Sequence, residues 1–293
     1  MINRLARMGW RTQDPLIALS LVALAILLTW DAWSDIFMLA ARDEENSHIF
    51  LVLPIAFWVA WIRRARLLQC RPRHHWAGVV IAGVGVAALV WGWSNQIDAL
   101  WHGGALLTVI GAFASAMGGE VVRRFLPAFG ALAFVVPIPG TVRQAIALPL
   151  QSVSAKVTQF VLDLTGMLVE RSGNLIIIDD MPIAVAEACN GMRMVFALFL
   201  VMYAFAFSIP MLNGVRLLLL VASPLVAIIA NVTRLVPTVL AYAKLDLETA
   251  DMLHDLSGWL MLALAFGALL GIEHMMRWAL IPTQRFTLAQ RAA

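Results

Sequence analysis

Three residue types capable of acyl-transfer chemistry stand in three short polar runs. Cys189 lies in Glu187-Ala188-Cys189-Asn190-Gly191-Met192-Arg193, Arg234 in Asn231-Val232-Thr233-Arg234, and His254 in His254-Asp255-Leu256-Ser257-Gly258. Each run borders a long apolar stretch, which predicts a thiol, a guanidinium and an imidazole at three helix boundaries. A thiolate attacks carbonyls, an imidazole carries the proton, and a permanently charged guanidinium holds an oxyanion. That combination is the inventory of a cysteine protease or transpeptidase.

Each residue also has a plainer reading. An unpaired cysteine in a membrane helix is commonly just a small buried hydrophobe. The expected helix start beside Cys189 favours the reactive reading, because unpaired N–H groups and the positive end of the helix dipole both stabilise thiolate. Gly191 allows a substrate backbone to approach closely, and the same amides suit an oxyanion. Arg193, one turn beyond Cys189, either holds the thiolate or pairs with Glu187. Arg234 ends the apolar run that starts at Leu217, so it is either an interfacial anchor or the charged donor of the site. Asn231, one turn earlier, would orient the guanidinium or cap a break.

His254 is either polar filler or the general acid and base, with Asp255 expected to cap the helix that follows. His48, in Ser47-His48, is a competing base. The histidines at 48, 74, 75, 102, 254 and 274 form no ligand set with Cys189 at usable spacing, so no metal and no other cofactor is expected.

The elements that must position these groups are membrane helices. With 61% hydrophobic and 13% charged residues in 293, the chain has too little charge to coat a soluble globule. Apolar stretches predict an all-α polytopic protein of about eight transmembrane helices of roughly 20 residues each, some shorter. They fall near 15–33, 49–62, 76–93, 102–117, 125–139, 191–210, 215–233 and 256–273. Arg4, Arg7, Arg11, Arg63, Arg64, Arg66, Arg123, Arg124, Arg216 and Arg277 then share one side, which the positive-inside rule makes cytoplasmic.

Both termini are thus expected in the cytoplasm, with Cys189, Arg234 and His254 on the outer face. The net charge of +3 is topological, and no basic patch points to nucleic acid. Cys70 falls on the cytoplasmic side, which leaves Cys189 without a disulfide partner.

No soluble domain interrupts the chain, so residues 1–293 read as a single helical membrane domain, with a core over 15–275 and cytoplasmic tails 1–14 and 276–293. Polar residues punctuate 143–169, which predicts an amphipathic helix at the outer interface or a buried helix lining a wet cavity. The β-branched runs of 174–178 and 183–186, around Asp179-Asp180-Met181-Pro182, predict a small β-hairpin leading to Cys189.

In combination, the three runs resemble the exosortase/archaeosortase family of membrane transpeptidases. Further agreement comes from Ser47-His48-Ile49-Phe50-Leu51-Val52-Leu53-Pro54-Ile55, from Val136-Pro137-Ile138-Pro139, and from Gly173-Asn174. The resemblance spans roughly residues 45–275; Asn190 departs from it, at a position where serine is usual. It implies that Cys189 is the nucleophile, Arg234 the essential arginine and His254 the proton carrier.

It further implies an inner-membrane enzyme whose substrates are secreted proteins with a C-terminal sorting signal: a motif of the Pro-Glu-Pro type (PEP-CTERM), a transmembrane helix and a basic tail. Bacterial members are commonly linked to exopolysaccharide production. A lipid amine, a glycan precursor or water would resolve the acyl-enzyme. The competing reading is a non-enzymatic membrane component of exopolysaccharide or lipid export. The sequence carries no sign of oligomeric state.

Overall fold

The computed structural model describes residues 10–11, 13–71, 75–164, 166, 169–178, 181–184 and 191–279, with side chains left undescribed at 44, 181–184 and 191–193. Contacts divide the chain into two compact units, Met1–Pro139 and Gly140–Ala293.

In the first unit, α1 (Gln13–Leu28) and α2 (Trp30–Arg42) meet at a 75° bend. They are followed by α3 (Ile49–Ile62), α4 (Trp76–Ser94), α5 (Asp98–Met117), α6 (Gly119–Arg124) and α7 (Leu126–Leu132). Helices α4 and α5 form a hairpin whose backbones touch. A Cβ added at Gly78, Gly85, Gly92, Gly104 or Gly111 would collide with main-chain atoms of the facing helix. Small residues let membrane helices pack this closely, where dispersion and not the hydrophobic effect holds them together. Gly104→Leu is therefore expected to destabilise the protein by about 1–3 kcal/mol, read as a lower midpoint of thermal unfolding in detergent. An unchanged midpoint would mean that the hairpin tolerates separation.

Helix α2 meets α5 at a polar pair in which half-exposed Asp35 places Oδ2 3.0 Å from Nε2 of His102, which is buried. Its burial matches the rule that an ionisable group within a membrane helix keeps a partner.

The second unit begins with α8 (Gly140–Leu164) and a three-stranded antiparallel sheet, β1 (Val169–Ser172), β2 (Leu175–Ile178) and β3 (Met181–Ala184), in the order β1-β2-β3. Gly173, at φ +63°, closes the tight β1–β2 turn. The expected hairpin is present as β2 and β3, with Ile178 opposite Met181. The strand β1 is additional, since its Val169-Glu170-Arg171-Ser172 carries too few apolar residues to read as a strand. The expected turn residues Asp179 and Asp180 lie outside the described residues.

Helices α9 (Gly191–Ser208), α10 (Asn213–Lys244) and α11 (Leu247–Trp278) complete the unit. Leu198, Met202, Leu219, Ala227, Ala265 and Leu269 join these three in one core. Ala155, Leu162, Ile176, Ile178, Leu235 and Val239 join α8, the sheet and α10 in another.

Five helices, α4, α5, α8, α10 and α11, are long and apolar enough to cross a membrane, or six with α1 and α2 as one broken span. An all-α polytopic membrane fold is thus present, but the expected count of eight is not reached among the described residues. The stretches at 49–62 and 125–139 supply only shorter apolar helices, and the helix over 191–210 adjoins residues outside the described ones. Ile49–Ile62, with 14 residues, extends about 21 Å at 1.5 Å per residue, against roughly 30 Å of hydrocarbon.

Over the polar-punctuated stretch 143–169, helix α8 is itself long and apolar enough to span. Its polar residues are divided between a buried face and an exposed one, where Gln144, Lys156 and Asp163 lie. Ser154 and Thr158 are buried beside Ala155 and Leu162, while Val142, Ile146, Leu148, Val153 and Phe160 face outward.

Candidate active site

Helices α10 and α11 are joined by Leu245 and Asp246 alone. Asp246 caps α11 by accepting a hydrogen bond from the Thr249 amide at 2.9 Å. That amide holds the Asp246 carboxyl below its ordinary range, so the cap persists above that range and is lost as the pH falls through the lowered value. A connection this short forces the helices into an antiparallel hairpin.

The hairpin brings two ridges face to face. On α10, Asn231, Arg234, Thr238 and Tyr242 recur at intervals of three or four residues; on α11, Asp251 and Asp255, and beside them His254 and Gly258, are each four apart. The register is visible at both ends. The Tyr242 hydroxyl donates to Asp251 Oδ1 at 2.7 Å. Farther along, Arg234 reaches across to Gly258, where an added Cβ would lie 2.9 Å from Nη1.

Arg234 is 7% exposed. Pro237 removes the amide that would bond the Thr233 carbonyl, which loosens the helix in the turn that carries the guanidinium. The Thr238 hydroxyl donates to the Arg234 carbonyl at 2.9 Å. Asn231 is buried one turn before Arg234.

His254 lies one turn from Gly258 on the same face. Its Nδ1 is 3.2 Å from Asp255 Oδ1, so in the neutral ring the carboxylate favours the tautomer with hydrogen on Nδ1. The Nε2 lone pair is then free to accept a proton. That atom is buried and has no hydrogen-bond partner among the described residues. The Tyr242 ring lies beside the imidazole, with centroids 6.5 Å apart.

A family model described as transmembrane exosortase matches residues 30–271. The chain belongs to the transmembrane exosortase family. No curated protein and no solved structure matches it.

Within this exosortase, the expected site residues divide according to what the structure describes. Cys189, Glu187 and Asn190 lie outside the described residues. Gly191 opens α9, where a helix start was expected, and the side chain of Arg193 is not described. Arg234 and His254 share the α10–α11 hairpin, but neither marks a helix boundary. Arg234 stands ten residues before the end of α10 at Lys244, and His254 lies in the second turn of α11.

Asp255 likewise does not cap a helix: Asp246 does, and Asp255 engages His254. The competing base His48 belongs to the first unit, where it precedes α3. Burial pushes its pKa down, against the opposing pull of the Glu45 carbonyl. The remaining thiol, Cys70, is buried in the first unit, and its burial raises the pKa.

Tyr242 and Asp251 were not singled out from sequence. The available signal was the four-residue spacing from Arg234 through Thr238 to one of only two tyrosines in the chain.

Proposed function

We propose that this exosortase is a cysteine transpeptidase that cleaves the C-terminal sorting signal of secreted proteins at the outer face of the inner membrane. Cys189 is the nucleophile, His254 the general acid and base, and Arg234 the charged donor to the oxyanion. The observation that carries the reading is the state of His254. One ring nitrogen is engaged by Asp255, while the other is buried and unclaimed among the described residues, one turn from the glycine against which Arg234 rests.

The chemistry follows from those roles. Nε2 takes the thiol proton, and the thiolate adds to the scissile carbonyl. The negative charge that develops on oxygen is stabilised by the guanidinium and by amides at the start of α9. Collapse breaks the C–N bond, His254 returns the proton to the departing amine, and a thioester remains on Cys189. An amine on a lipid, a glycan precursor or water then attacks the thioester, Nε2 accepts its proton, and the C–S bond breaks to release Cys189, which takes that proton back as the thiol.

A substrate transmembrane helix docking laterally would bring its Pro-Glu-Pro type motif to the interface, with its basic tail and both enzyme termini in the cytoplasm. No metal or organic cofactor takes part.

The test is to trap the intermediate. Membranes carrying the enzyme and a tagged sorting-signal substrate are quenched in acid and resolved by gel. The expected result is an enzyme-linked N-terminal substrate fragment released by neutral hydroxylamine, absent from Cys189→Ala and from alkylated enzyme, and unaffected by a chelator. An adduct that persists in Cys189→Ala would overturn the assignment.

A further inference from the structure

We infer that Tyr242 is a positioning residue of this site, holding His254 and Arg234 in register through its bond to Asp251. The inference rests on the transpeptidase reading above and adds to it a residue that touches none of the reacting atoms.

Tyr242 stands in the last turn of α10, eight residues after Arg234 on the same ridge. Its hydroxyl reaches Asp251 Oδ1 at 2.7 Å, and its ring lies 6.5 Å from the His254 ring at an interplanar angle of 47°. One side chain therefore meets α11 at two places three residues apart, Asp251 and His254, both beyond the Asp246 cap. Asp251, His254, Asp255 and Gly258 fall on one face of α11. Any rotation or slide of α11 that breaks the tyrosine–aspartate bond also moves the imidazole and withdraws Gly258 from under the guanidinium.

The bond has a second consequence. Asp251 precedes His254 by one turn, as Asp255 follows it by one residue, so two carboxylates are close enough to compete for one imidazole. The phenol occupies Asp251 and leaves Asp255 as the group that orients the ring. Without the phenol, an unengaged carboxylate sits on the same face as His254, and it can draw the imidazole or the guanidinium away from its working position. Displacements of this size at a catalytic group lower turnover without altering how substrate is held.

The test uses the full-length enzyme in membranes, with active sites counted by alkylation of Cys189 so that loss of folded protein does not enter the rate. Tyr242→Phe keeps the ring and removes the hydroxyl. It is expected to lower kcat per active site about tenfold with KM within about twofold, the pattern of lost positioning as opposed to lost binding. Asp251→Asn keeps an oxygen that accepts from the phenol and should restore most of the rate, whereas Asp251→Ala should match Tyr242→Phe. The double variant Tyr242→Phe with Asp251→Ala should be no slower than either single variant, since both remove one interaction.

A kcat for Tyr242→Phe within twofold of wild type would overturn the inference, as would losses that multiply in the double variant. The underlying reading is tested separately by Cys189→Ala. Full processing by that variant removes the transpeptidase reading and this inference with it. An inactive Cys189→Ala beside a fully active Tyr242→Phe removes this inference alone.

Discussion

Replacing His254 with alanine is expected to lower kcat for sorting-signal cleavage by about 10²- to 10⁴-fold, the usual contribution of a general acid–base group. In the proposed mechanism the same proton carrier serves two steps, taking hydrogen from the thiol and returning it to the leaving amine, so its loss would be felt on both sides of the intermediate. Packing should be little disturbed, because the imidazole ends in a nitrogen without a hydrogen-bond partner among the described residues and its other bond goes to an exposed carboxylate. The measurement is single-turnover cleavage of a reconstituted substrate, with membrane level and Cys189 alkylation checked in parallel. A rate within threefold of wild type would leave His254 as polar filler.

The second large effect is expected at Arg234. Arg234→Lys keeps the positive charge and discards the planar fork, and should cost about 10²- to 10³-fold in kcat, the range seen when a donor to an oxyanion is removed. The geometry explains why lysine is a poor substitute. The guanidinium is buried and extends across the hairpin to the backbone at Gly258, where there is no side chain to stop it. A lysine ammonium is a compact point charge on a flexible stem, and it cannot present two donors in one plane. With KM nearly unchanged, the loss would belong to the transition state; a raised KM with intact kcat would make Arg234 a substrate-binding group instead.

The three chemical groups were legible as residue types, because a charged arginine at the end of the apolar run from Leu217 and a cysteine two residues before a glycine stand out in a chain this hydrophobic. Their mutual geometry was not. Apolar runs mark the stretch of helix in hydrocarbon, whereas a helix continues for as long as its backbone bonds and caps allow. Reading α10 as ending at 233 and α11 as beginning at 256 left Arg234 and His254 at boundaries, with a long loop between them. Asp246, capping through Thr249, carries helix through Glu248, Asp251 and Asp255, whose charges broke the apolar pattern. The capping residue three positions before Thr249 was the readable sign.

Fewer than eight spans are found among the described residues for the related reason that hydrophobicity does not report helix length. Ile49–Ile62 is apolar throughout and stops at Arg63 and Arg64. The polar interruptions of 143–169 did not show which of them would be buried. Ser154 and Thr158 are, while Gln144, Lys156 and Asp163 stay exposed, a distinction that requires knowing which face meets α10.

The two-residue link between α10 and α11 bears on how the enzyme comes into being. A chain made from its N-terminus presents Cys189 and Arg234 to the membrane before His254 exists, so under the proposed roles an incomplete chain carries the thiol without its base. Because so little chain separates Arg234 from His254, the imidazole joins the guanidinium in one local step, the closing of a helical hairpin, and waits on no distant contact. The onset of activity during biogenesis is thereby tied to the insertion of a single helix.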